Sequence, residues 1–172
     1  MNAVRHPFPI RRALLLTPGE YIKAAGERLD EATSLFRAGI YYSLAIYSGG
    51  VSVECVLSAL VMYRLGRGAI PIGMESHNLL AYLRHDPLSV GPQSPFLSQL
   101  ISTNVSAVIR RWNNFMKYLT TDTLTSLYRG RELIVTRSNG LEGMHENADR
   151  LLHAAGNIYI RGKRLCRHYG IV

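Results

Sequence analysis

Apolar and polar positions along this chain repeat with the period of a helix rather than of a strand. Ile22, Ala25, Leu29, Ala32 and Phe36 recur at spacings of three and four, and Lys23, Glu27, Asp30 and Arg37 fall on the opposite side. Thr17-Pro18-Gly19-Glu20 supplies the start, with a capping threonine, proline at the first helical position and glutamate three residues after the cap. Gly39 stands where a left-handed cap ends such a helix. The next run, Tyr41 to Leu65, reads YYSLAIYSGGVSVECVLSALVMYRL and is apolar nearly all round, the pattern of a central helix covered by others. A link of two or three residues makes the two an antiparallel hairpin.

After Gly66, RGAIPIG interleaves glycine and proline as a connection. A short third helix is expected over Ser76 to Leu83, with Leu79, Leu80 and Leu83 on one face, and a loop over His85 to Pro95. Leu97, Leu100, Ile101, Val105, Val108, Ile109, Trp112 and Phe115 predict a fourth long helix from Phe96 to Tyr118. Residues 119 to 143 carry less periodicity: a helical turn over Asp122 to Tyr128, a short strand over Leu133 to Thr136 and a turn at Ser138-Asn139-Gly140. A last helix begins near Met144, with Ala148, Leu151, Leu152, Ala155, Ile158, Tyr159, Leu165 and Cys166 inward. The expected fold is all-α, a compact bundle of about five helices with the long antiparallel pair at its centre. Residues 1 to 16 form an arm and 17 to 172 one domain.

Charge adds what periodicity does not. The formal net charge is +8 and the pI about 9.8, which favours polyanionic partners, RNA or a nucleotide first, through counterion release. Cys55 and Cys166 are distant in sequence and suit reduced thiols in the cytoplasm, and no metal-ligand spacing or cofactor motif occurs. Ala13 to Leu16 is too short for a signal-peptide core. Ala38 to Val53 is uncharged, but it holds three serines and three glycines before Glu54 and falls short of the about twenty predominantly apolar residues of a membrane span. No membrane partner is expected.

Glu54 is the conspicuous residue of the central helix, because a carboxylate in an apolar run is costly unless it is paired or used. Gly50 and Ser58 lie one turn away on either side and Tyr47 two turns back, a narrow polar stripe. The stripe reads either as the floor of a basic, anion-accepting groove or as the seat of a structural ion pair from Glu54 to Arg110, Arg111 or Lys117.

The segment FRAGIYYSLAIYSGGVSVECVLSAL, an alanine-glycine turn leading into tyrosines, small residues, Val-Glu and a leucine-rich end, resembles the second helix of HEPN domains (higher eukaryotes and prokaryotes nucleotide-binding). HEPN ribonucleases carry an arginine followed four to six residues later by a histidine, often with a tyrosine two beyond. Arg111, Met116 and Tyr118 fall at that spacing with methionine in the histidine's place. The resemblance implies that Arg111 would hold a phosphate while the proton-transfer group is missing. It adds Arg110, Lys117, Tyr118 and Tyr47 as RNA-contacting candidates, with Trp112 and Lys117-Tyr118 echoing a Trp…Arg-Tyr pattern of the family. The plainer reading makes Trp112, Phe115 and Tyr118 core and Arg111 and Lys117 solvated.

His77 resembles the histidine that opens the family's third helix, either near Glu54 or as a cap, and with His145 it is the alternative proton donor. Arg161 and His168 share the motif's separation but lie on one helix near the C-terminus. The resemblance implies a cytoplasmic homodimer in RNA processing, phage defence or a toxin-antitoxin pair, commonly beside a minimal nucleotidyltransferase. Three functions remain open at this level: RNA or nucleotide binding with ribonuclease activity lost or weak, an active metal-independent endoribonuclease, and a non-catalytic interaction module.

Overall fold

A computed structural model of the chain describes residues 16–66, 79–84, 95–134 and 139–171. Six α-helices follow one another: α1 (Pro18–Arg37), α2 (Tyr42–Arg64), α3 (Leu79–Arg84), α4 (Pro95–Arg111), α5 (Thr121–Gly130) and α6 (Gly140–His168), with a 3-10 turn over Asn114–Tyr118 between α4 and α5. Five of them are ten residues or longer, and no strand occurs among the described residues. The fold is all-α.

The capping box of α1 forms as its sequence demands: Thr17 Oγ1 accepts from the Glu20 N–H and the Glu20 carboxylate accepts from the Thr17 N–H. Gly39, at φ +79°, turns the chain into α2. The two helices run antiparallel, with Ser52 Oγ donating to the Ala25 carbonyl oxygen at 2.8 Å. At the centre α2 touches every other element. Tyr42–Arg64 is long and apolar enough to cross a membrane by length and composition, but 72% of its most apolar window is buried against protein.

The antiparallel α1–α2 pair is joined at the core by α6. That helix lies parallel to α2, with Gly49 against Leu151 and Gly162 against Val56, and it also packs on α1, α4 and α5. A Cβ on Gly162 would come within 2.3 Å of Val56 Cγ1, so the approach of the two helices depends on that glycine. The helix starts at Gly140, capped by Asn139 Oδ1 accepting from the Leu141 N–H, one turn earlier than the apolar stripe alone predicts.

Two expectations are corrected between residues 111 and 134. The fourth helix ends at Arg111 instead of running to Tyr118. Trp112 turns inward over Gly50, where a Cβ would sit 2.0 Å from the indole, and its Nε1 donates to the Tyr47 carbonyl oxygen at 3.1 Å. Extended Asn113 then caps the 3-10 turn, so the local hydrogen bonding of an asparagine overrides the apolar period. Leu133 and Ile134 are bends rather than strand, and Val135 to Ser138 lie outside the described residues. The third helix is described from Leu79 onward, and the expected loop at 85 to 94 also falls outside.

Candidate functional site

The last turn of α4 carries two of the predicted anion-contacting residues, Arg110 and Arg111. Arg111 is 7% exposed; its Nε donates to Asn147 Oδ1 of α6 at 3.0 Å and its Nη1 to the Ala107 carbonyl oxygen at 3.1 Å. Asn147 is 1% exposed, and its Nδ2 donates to the carbonyl oxygens of Leu133 at 2.9 Å and Gly143 at 2.8 Å. One amide therefore ties the end of α4, the segment after α5 and the first turns of α6.

The final carbonyls of a helix have no partner inside it. Here the Tyr128 hydroxyl donates to the Arg111 carbonyl oxygen, and Arg131 Nη1 donates to that of Arg110 at 3.2 Å. Burial pushes the Tyr128 phenol well above its ordinary range.

Among the described residues, no carboxylate forms an ion pair with Arg110, Arg111 or Arg131; the ion pairs present are Arg28 with Glu31 and Arg150 with Glu146. Burial lowers the Arg111 guanidinium below its usual range, the charges of Arg150 and Arg110 add to that shift, and Tyr128 and Glu146 oppose it. The buried cation is held by a neutral amide and a carbonyl oxygen, and its positive field is not cancelled within hydrogen-bonding distance. Beside it, Ile109, Arg110, Arg131 and Leu133 line an open depression of about 330 Å³.

Arg131 is placed by backbone geometry. The N–H of Leu133 donates to the Tyr128 carbonyl oxygen and that of Glu132 to the Arg129 carbonyl oxygen, a paired closure of the α5 C-terminus. Glu132 takes the left-handed position at φ +58°, which glycine normally fills.

Glu54 lies elsewhere. It is buried, yet no ion pair joins it to Arg110, Arg111 or Lys117, which corrects the expected pairing. Its surroundings are Tyr21 of α1, its neighbour Cys55 and Tyr82 of α3, and its charge raises the pKa of all three groups. Ser58 Oγ donates to the Glu54 carbonyl oxygen at 2.8 Å and lies 3.2 Å from the Tyr82 hydroxyl. Burial, with Glu54, pushes the Cys55 thiol to about 11 and Tyr82 to about 12. The polar stripe is not an open groove floor, because Trp112 covers Gly50 and Tyr82 meets Ser58. Tyr47 and Glu54 are seven residues apart on α2, about 10 Å along its axis, so the two ends of the stripe serve different neighbours.

The other candidates disperse. Met116 is buried in the core and its Sδ accepts from the Asn113 N–H, so the position matched to the family's histidine is packing, not solvent-facing chemistry. Tyr118 is 78% exposed rather than core, with the Lys117 ammonium 4.9 Å from its ring centroid. Tyr47 lines a separate depression of about 380 Å³ with Arg28, Glu31, Leu35, Leu44, Ser48 and Val51. His145 packs edge-on to Tyr42 and close to Phe36. His77 lies outside the described residues. Cys55 and Cys166 are free thiols.

Asn147 is the residue that the sequence reading missed. Its signal was its place on the stripe of Met144, Leu151 and Ile158, where an amide among apolar side chains must find buried partners. No protein-family model, curated protein or solved structure matches this chain.

Proposed function

We propose that this protein is a basic, HEPN-like RNA-binding protein whose ribonuclease chemistry is lost or weak. The observation that carries the reading is the arginine junction at the end of α4. Arg110, Arg111 and Arg131 gather there without a carboxylate ion pair among the described residues, in a chain of formal charge +8. Such a region gains most from an anion that releases its own counterions. The HEPN part rests on the α2 sequence pattern together with an all-α fold in which that helix is central.

Weak or absent cleavage follows from what surrounds Arg111. General acid-base catalysis needs a titratable group within hydrogen-bond reach of the proton it moves. Met116 provides none and is enclosed, and the guanidinium is spent on Asn147 and Ala107. His145 is two residues from Asn147 on α6, about 200° around the helix, and faces Phe36 and Tyr42. Arg111 then acts as the fixed positive charge beneath the junction.

A cytoplasmic homodimer, working beside a nucleotidyltransferase in RNA processing, phage defence or a toxin-antitoxin pair, belongs to the same reading. Ile40, Tyr41 and Leu44 support an interface, being large apolar side chains left exposed around one turn. Light scattering at micromolar concentration tests the dimer, and a monomer refutes it.

The test of function is a titration of single-stranded RNA at about 50 and about 200 mM salt, with a parallel cleavage assay in chelator. The expected result is binding that falls steeply with salt and RNA that stays intact. No binding at the lower salt refutes the reading, and rapid chelator-resistant cleavage replaces it with an active ribonuclease.

A further inference from the structure

We propose that Arg110 and Arg131 form a phosphate clamp across the depression between α4 and the end of α5, which accepts the phosphate group of a nucleotide unit. The inference deepens the RNA-binding reading by naming the atoms that would take the anion.

Both arginines line the same depression, and each guanidinium retains donors for a ligand. Arg131 commits one nitrogen, Nη1, to the Arg110 carbonyl oxygen, which orients the group and leaves Nε and Nη2 for another acceptor. Arg110 makes no side-chain hydrogen bond or ion pair among the described residues. Glu132, next in sequence to Arg131, pairs with neither arginine. Guanidinium is the side chain whose fixed fork matches phosphate oxygens two at a time.

Three further features favour a phosphate over a carboxylate side chain of some protein partner. Arg111, next in sequence to Arg110, is buried and close enough for the two charges to interact, so a third cation adds to the positive field of the two surface arginines. Ile109 and Leu133 give the depression apolar walls, which a sugar or base edge attached to the phosphate can cover. The paired closure of α5, with Glu132 held in the left-handed region, fixes the backbone on which Arg131 stands. Little conformational freedom is left to lose on binding.

The experiment measures binding of a single-stranded RNA oligonucleotide and, separately, of adenosine monophosphate. It uses the full chain, Arg110→Gln, Arg131→Gln, the double variant, Arg131→Lys, and Arg161→Gln/Arg164→Gln as a basic surface elsewhere. Melting curves of every variant check that the fold is kept. The clamp predicts about tenfold weaker binding for each arginine lost, the fold-change of a charge-assisted hydrogen bond, and a salt slope lower by about one each. It also predicts partial recovery in Arg131→Lys, which keeps charge without the fork.

Loss of RNA binding in the double variant supports a polymer source for the phosphate. Binding of the mononucleotide alone, lost in the same variant, supports the clamp while refuting the RNA reading. Either probe binding the double variant as well as the unaltered protein overturns the clamp. If the Arg161→Gln/Arg164→Gln variant is the one that fails to bind RNA, the clamp falls and RNA binding stands. If neither probe binds the unaltered protein, both fall.

Discussion

Glu54 and Arg111, the two buried charges among the described residues, stand in different surroundings. Glu54 sits in the middle of α2 near Tyr21, Cys55 and Tyr82, where burial raises the thiol and the two phenols and its charge adds to that shift. Arg111 sits at the end of α4, held by neutral groups, with Arg150 and Arg110 near enough to depress its pKa and Glu146 partly opposing them. A buried charge satisfied by hydrogen bonds alone keeps an outward electrostatic reach that an ion pair would quench.

The largest expected effect tests the structural half of that contrast. Asn147→Leu removes the acceptor for Arg111 Nε and the donor for two carbonyl oxygens in a buried site. It should destabilise the fold by about 3 kcal/mol, since a buried charge and buried polar atoms lose their partners together. Urea unfolding measures it, and a loss below about 1 kcal/mol would mean that water reaches Arg111 freely.

An intermediate effect appears with pH and involves both regions. Cys55 and Cys166 are raised from 9.0 to about 11, Tyr82 from 10.0 to about 12, and Tyr128 further still. Between the unfolded and the folded values the native state holds protons that the unfolded chain has released. Stability is thus full below about pH 9 and falls as pH rises through 11 to 12. Thermal melting at a series of alkaline pH values should show a progressive decline, and a flat profile to pH 12 would contradict the burial of these groups.

The smallest effect sharpens the Glu54 half. Glu54→Gln keeps the shape and removes the charge, so the Cys55 thiol should titrate lower and be alkylated a few-fold faster at pH 9, while RNA affinity stays unchanged. An RNA affinity that collapsed with the fold intact would move Glu54 into the binding site.

Much of the helical layout was legible because local signals agreed. The capping box at Thr17, the glycine at 39 and the unbroken apolar run of α2 each point to the element that forms. The break after Arg111 was hidden, since Trp112 and Phe115 keep the apolar period while the chain leaves the helix. That exit depends on Gly50 of α2, some sixty residues earlier in sequence, admitting the indole, a tertiary fact with no local trace. The same blind spot separated Arg111 from Glu54: each was visible as an unusual residue, but their neighbours are set by helix packing. Arg131 showed only as part of a basic segment, and its opposition to Arg110 depends on the left-handed Glu132.

The most direct measurement is the set of arginine Nε–H resonances followed by NMR as single-stranded RNA is added. Arg110 and Arg131 are expected to shift with the added RNA, Arg111 to keep a protected resonance because its Nε donates to Asn147, and Arg161, Arg164 and Arg167 to change little. Shifts confined to Arg161, Arg164 and Arg167, with Arg110 and Arg131 silent, would contradict it.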